Sequence, residues 1–77
     1  MVEVKLPELA EGVNSATITM WHYTKGDSIK KDEDMVELVT DKATFNLPSP
    51  ASGRVVEVMF GEGETVNVGD ILAVIEE

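Results

Sequence analysis

An all-β fold is what this sequence predicts, and three features predict it. Short apolar stretches alternate with polar residues at a period of two, and no segment longer than a turn shows the 3.6-residue period of a helix. Turn-forming clusters, Lys25-Gly26-Asp27-Ser28, Gly61-Glu62-Gly63-Glu64 and Val68-Gly69-Asp70, separate those stretches. The second half of the chain also repeats the first. With 77 residues the chain is one domain, close to the lower limit for an independent core. It has no cysteine, so neither disulfides nor thiolate metal sites add stability. Hydrophobic residues make up 43% and aromatics only 5%, which points to a core of Val, Ile, Leu and Met.

The elements follow in chain order. Residues 2–6 alternate Val2, Val4 and Leu6 against Glu3 and Lys5, a half-buried strand that Pro7 stops. Residues 8–15 read as an exposed loop in which Gly12 and Asn14 can take positive φ. Residues 16–23 form a long strand with Ala16, Ile18 and Met20 on one face and Thr17, Thr19 and Trp21 on the other. Ile29 is a short apolar island before the charged run 30–34. Residues 35–48, MVELVTDKATFNLP, contain two strand-like runs meeting at Asp41-Lys42, the spacing of a tight hairpin loop. In that register Thr40 faces Ala43, Leu38 faces Phe45 and Val36 faces Leu47 on one side, with Glu37 opposite Asn46 and Val39 opposite Thr44 on the other. A slip of one residue would put Leu38 and Phe45 into water, so the register is strongly specified. Pro48-Ser49-Pro50 cannot continue a central strand and is expected to carry the chain to another sheet. Residues 53–60 are the next strand, Val66 is a second island, and residues 71–75 are the last strand.

The repeat places Gly63 on Gly26, Val55 on Ile18, Phe60 on Tyr23, Glu64 on Asp27 and Val66 on Ile29. After one dropped residue it places Asp70 on Asp34, Ile71 on Met35 and Val74 on Leu38. This predicts a pseudo-two-fold axis, with Glu76-Glu77 where the first half has Thr40-Asp41. Lys42 and the chain ends are then expected at opposite ends of the molecule.

Charge and side-chain chemistry narrow the function. A net charge of -9 argues against nucleic acid and anionic membrane surfaces as partners. No apolar run approaches the roughly 20 residues of a membrane span. Lys42, beside Asp41 on a hairpin tip, lacks the apolar pocket or neighbouring cation that would make a catalytic amine. His22 has no visible metal-ligating company, and Gly61-Glu62-Gly63 is turn chemistry because no helix follows to bind phosphate. The residues alone leave a small acidic β domain displaying a lysine.

At Asp41-Lys42-Ala43 the sequence resembles the lipoyl domains of the dihydrolipoyl acyltransferase component of 2-oxo acid dehydrogenase complexes. The likeness runs through LPELAEG at 6–12, WHYTKGDSI at 21–29, LPSP at 47–50, GRV at 53–55 and VGDILAVIE at 68–76. It departs at Ala10, where many relatives have glycine, and at Val39, where many have glutamate. The resemblance implies a flattened β-barrel or sandwich of two four-stranded antiparallel sheets with pseudo-two-fold symmetry, and a domain spanning 1–77, excised from a longer multidomain acyltransferase. It implies lipoic acid in amide linkage on Lys42, with Asp41 and Ala43 as the flanking motif that favours lipoate over biotin. The implied role is a non-catalytic swinging-arm carrier, moving acyl groups and reducing equivalents between a thiamine-dependent 2-oxo acid decarboxylase, the acyltransferase core and dihydrolipoyl dehydrogenase. A lipoate protein ligase would attach the group, the isolated domain would be a monomer, and the compartment would be the cytoplasm, or the mitochondrial matrix in a eukaryote. The loop residues Glu11, Gly12, Val13 and Asn14 are expected to recognise the partner. Two alternatives stand beside this reading: a biotin carrier domain of a carboxylase, and an unmodified domain that binds a partner through its acidic face.

Overall fold

The computed structural model describes residues 1–77 and contains eight strands: β1 (Val2–Lys5), β2 (Ser15–Trp21), β3 (Ser28–Ile29), β4 (Asp34–Val39), β5 (Thr44–Pro48), β6 (Gly53–Val58), β7 (Thr65–Asn67) and β8 (Ile71–Glu76). They form two four-stranded sheets, β1-β8-β6-β3 and β5-β4-β2-β7, with every pair antiparallel. The all-β sandwich expected from the sequence is therefore present, and the islands at Ile29 and Val66 are short edge strands. Consecutive strands alternate between the sheets with one exception. Only β4 and β5 follow each other within a sheet, so the turn at Lys42 is the sole local hairpin of the fold. Its register matches expectation: Val36 faces Leu47, Glu37 Asn46, Leu38 Phe45 and Val39 Thr44. Pro48 ends edge strand β5, and the next strand lies in the other sheet.

The pseudo-two-fold is present, with one correction. The shift of 37 residues continues unbroken through the last strand, and no residue is dropped. The pairs Thr17–Val39, Ile18–Leu38, Met20–Glu37 and Trp21–Val36 in one sheet reappear as Arg54–Glu76, Val55–Ile75, Glu57–Val74 and Val58–Ala73 in the other. Met35 thus corresponds to Leu72 and Glu33 to Asp70, while Glu76-Glu77 take the places of Val39-Thr40. The turns obey the same operation. The Ser49 amide donates to the Glu33 carbonyl at 2.8 Å as that of Leu6 does to Asp70 at 3.0 Å, and the Asp32 amide donates to Ser49 as Gly69 does to Leu6. Asp32 and Gly69 both have positive φ, 73° and 94°, the conformation that this tight return requires.

Bulges explain the second correction. Alternation puts Met20 inward with Ala16 and Ile18, but the β2–β4 register shifts between Ile18 and Met20. Met20 is consequently 49% exposed, and Trp21 instead packs against the core, its indole N–H donating to the Phe60 carbonyl at 2.9 Å. A matching shift between Val55 and Glu57 occurs in β6. The core between the sheets comprises mates under the symmetry, among them Ile18 and Val55, Ile29 and Val66, Val36 and Ala73, and Leu38 and Ile75, all essentially inaccessible. Phe45, on edge strand β5, is only half-buried. Acidic side chains close the turns: the carboxylates of Asp27, Glu33, Glu64 and Asp70 each accept from a backbone N–H three residues earlier. The Lys30 amide and the Tyr23 hydroxyl together hold Glu33 below the usual carboxylate range, and the same bond to Glu33 raises the Tyr23 phenol.

Glycine at 53 answers to crowding. A β-carbon there would lie 2.2 Å from the Glu76 carbonyl oxygen, whereas its symmetry mate, Ala16, carries one. Strand β8 approaches β6 more closely than any side chain would allow at this point.

Candidate functional site

The hairpin behind Lys42 is pinned by Val36, Leu38 and Leu47, all buried, so its tip projects from a packed ladder. Asp41, Lys42 and Ala43 are exposed there. Two-residue loops usually adopt primed turns with positive φ, yet neither Asp41 nor Lys42 has it. Thr40 supplies the closure instead. Its amide donates to the Ala43 carbonyl at 2.9 Å. Its hydroxyl donates to that same carbonyl at 3.1 Å and accepts from the Lys42 and Ala43 amides at 3.1 and 3.2 Å. The hydroxyl's one hydrogen and two lone pairs are all used.

The β1–β2 loop comes up beside this tip. Backbone bonds from Leu6 to Asp70 and from Val68 to the Asn14 carbonyl fasten its two ends, and Val13 is buried beneath it. The Val13 amide closes a turn on the Ala10 carbonyl at 3.0 Å, and Gly12 sits at φ 79°. That turn presents the Glu11 carbonyl to the lysine, whose Nζ donates to it at 2.8 Å. A β-carbon on Gly12 would lie 3.9 Å from Nζ. Between loop and hairpin runs an open depression of about 440 Å³, walled by Gly12, Val13, Asn14, Val39, Thr40 and Asp41.

The sequence-predicted residues are thus brought together, 31 positions apart in the chain for Lys42 and Glu11. Their parts differ: Glu11, Gly12 and Asn14 are exposed, whereas Val13 is buried, anchoring the loop from below while forming part of the depression's wall. Thr40 was not foreseen as more than a strand residue; the absence of Gly or Asn from the two-residue loop was the available signal. His22 lies 3.2 Å from the Asn46 amide oxygen, away from this cluster, and no group of His, Asp and Glu is arranged to hold a metal.

The lysine suits a covalent attachment. Its amine is solvent-exposed with one acceptor beside it, and an amide formed on Nζ would keep one N–H for the Glu11 carbonyl.

Comparison with known proteins agrees with that chemistry. Residues 2–75 match the biotin/lipoyl family described as "Biotin-requiring enzyme". The chain is 46% identical over 77 residues to the dihydrolipoyllysine-residue succinyltransferase component of the 2-oxoglutarate dehydrogenase complex of Staphylococcus saprophyticus, covering 100% of this chain and 18% of that protein. It is 42% identical over 71 residues to the acetyltransferase component of the pyruvate dehydrogenase complex of Corynebacterium glutamicum, covering 92% of this chain and 10% of that one. The chain therefore spans less than a fifth of the length of these curated relatives. Among solved structures, the lipoyl domain of the 2-oxoglutarate dehydrogenase complex from Azotobacter vinelandii superimposes with a TM-score of 0.80 at 31% identity, covering 100% of this chain and 98% of that domain. A multidomain long-chain acyl-CoA carboxylase shares the fold, with a TM-score of 0.78 at 21% identity over 94% of this chain and 6% of that one. Whole-length agreement with an isolated lipoyl domain, and a free amine on the fold's only local hairpin, place this chain in the biotin/lipoyl family as a lipoyl domain of the type found in dihydrolipoyllysine acyltransferases.

Proposed function

We propose that this domain carries lipoic acid on Lys42 and presents it in turn to a thiamine-dependent 2-oxo acid decarboxylase, an acyltransferase core and a dihydrolipoyl dehydrogenase. The observation that carries this reading is the exposed Lys42 amine on a turn fixed by Thr40, flanked by Asp41 and Ala43. The bound group supplies the chemistry, a disulfide that can be opened, loaded and re-formed. What the protein contributes is attachment and presentation. For attachment, the Lys42 amine must lose a proton and attack the activated carboxyl of lipoate; the N–C bond forms as the bond to the activating group breaks. For presentation, the buried hairpin ladder holds the attachment point outward, and tethering to a larger assembly makes each encounter effectively intramolecular. The parent chain is accordingly a multidomain acyltransferase, cytoplasmic or in the mitochondrial matrix.

Incubation with lipoate, ATP and a lipoate protein ligase tests the assignment. The peptide spanning Lys42 should gain one lipoyl group in amide linkage, and no other lysine should. A bare Lys42 after treatment with a ligase shown to be active would refute it, and biotin accepted there from a biotin ligase would move the chain to the carboxylase carriers.

Recognition by the decarboxylase is assigned to the loop crest beside the lysine. Replacing Glu11 and Asn14 by alanine, with Gly12 and Val13 retained to keep the turn and its anchor, should lower the second-order rate at which the decarboxylase loads the domain by about tenfold. Ligase modification should be unaffected. An unchanged loading rate would remove this loop from partner choice.

A further inference from the structure

We infer that Thr40 is a positioning residue for the attachment reaction: its side-chain hydroxyl, added to one backbone bond between residues 40 and 43, sets the turn in which Lys42 meets the modifying enzyme. The inference rests on the lipoyl reading of Lys42 and adds a residue to it.

A two-residue hairpin loop ordinarily closes through a primed turn, whose positive φ matches the twist of the flanking strands. Neither Asp41 nor Lys42 adopts that conformation. The amide of Ala43 forms no backbone bond to the Thr40 carbonyl. Both tip amides, Lys42 and Ala43, turn to the Thr40 hydroxyl at 3.1 and 3.2 Å, while the hydroxyl's own hydrogen goes to the Ala43 carbonyl at 3.1 Å. One oxygen thereby ties residue 40 to both 42 and 43. Thr40 is half-buried at the base of the turn and also walls the depression beside the lysine loop. The hairpin's apolar ladder begins at Leu38, two residues further in, and does not depend on this hydroxyl.

Removing the hydroxyl leaves two exposed amides that water can satisfy, so the fold persists while the tip samples other conformations. A ligase that accepts one conformation then sees only a fraction of the molecules, and its apparent affinity falls by that fraction. Loss of the hydroxyl's three neutral hydrogen bonds, largely replaced by bonds to water, corresponds to a drop of about tenfold in the competent fraction.

The test compares Thr40→Val, which keeps the branched shape without the oxygen, with Thr40→Ser, which keeps the oxygen. Ligase kinetics and amide exchange are measured on both and on the unaltered domain. Thr40→Val should raise KM about tenfold with kcat retained, and should quicken exchange at the Lys42 and Ala43 amides but not in β2 or β8. Thr40→Ser should stay within about twofold of the unaltered domain. Modification of Thr40→Val with unchanged KM, a Thr40→Ser variant as poor as Thr40→Val, or faster exchange throughout both sheets would each overturn the inference. If the unaltered domain is not modified at all, the carrier assignment fails; the exchange comparison still decides whether the hydroxyl orders the turn.

Discussion

Lys42→Arg should leave a folded domain that no ligase can modify and that carries nothing between the partner enzymes. Arginine preserves the positive charge and can still donate to the Glu11 carbonyl, which takes the lysine Nζ at 2.8 Å, so the loop beside the turn keeps its neighbour. The turn itself is closed by Thr40 through backbone amides that do not involve the side chain of residue 42. What is lost is nucleophilicity: a guanidinium does not give up its proton in a protein, and an amide cannot form on it. The expected result is complete absence of the lipoyl mass increment, with a thermal midpoint and far-UV spectrum like those of the unaltered domain. In the assembled complex, decarboxylase-dependent reduction of the acceptor should fall to background. A Lys42→Arg domain still loaded with lipoate would show that a different lysine is the attachment point, and the exposed turn would lose its role.

The hairpin was legible because a two-residue loop fixes every pair behind it, and all four pairs from Val36–Leu47 to Val39–Thr44 appear in the structure. The repeat was legible as well, but its alignment in the last strand was not. Bulges at Met35 and Leu72 let two successive residues face inward, Met35 with Val36 and Leu72 with Ala73. Two neighbouring apolar residues satisfy an inward pattern in either of two registers, so sequence matching admitted a dropped residue that backbone pairing excludes. The same effect hid Trp21: the shift after Ile18 exchanges it with Met20 on the inner face. At the site, Lys42 announced itself by position and neighbours. The work of Thr40 did not, because a side-chain hydroxyl bonding to amides two and three residues on leaves no periodic trace. Nor could spacing show that the Glu11 carbonyl lies against Nζ, since that contact depends on the loop being tied down at Leu6, Val13 and Asn14.

The symmetry provides an internal control for how much of the lysine's presentation depends on the ladder beneath it. Leu38 and Ile75 are mates under the pseudo-two-fold, both fully buried, Leu38 paired with Ile18 of β2 and Ile75 with Val55 of β6. Truncating either to alanine deletes buried methyl groups and leaves a cavity between the same two sheets, at a cost of about 2–5 kcal/mol. For a domain of this size total stability is about 4–11 kcal/mol, so either change should lower the thermal midpoint by about 10 °C or more. The two should differ at the tip. Leu38 also faces Phe45 across the hairpin, four residues before Lys42, whereas Ile75 lies in the other sheet, paired with Val2 and Val55 and away from that turn. Leu38→Ala should therefore quicken amide exchange at residues 40–43 and raise the ligase KM. Ile75→Ala, equally destabilising, should leave both near their original values at temperatures where the domain is folded. Equal effects of the two substitutions on the Lys42 turn would mean that presentation tracks global stability alone, and that the hairpin ladder has no separate part in holding the lysine outward.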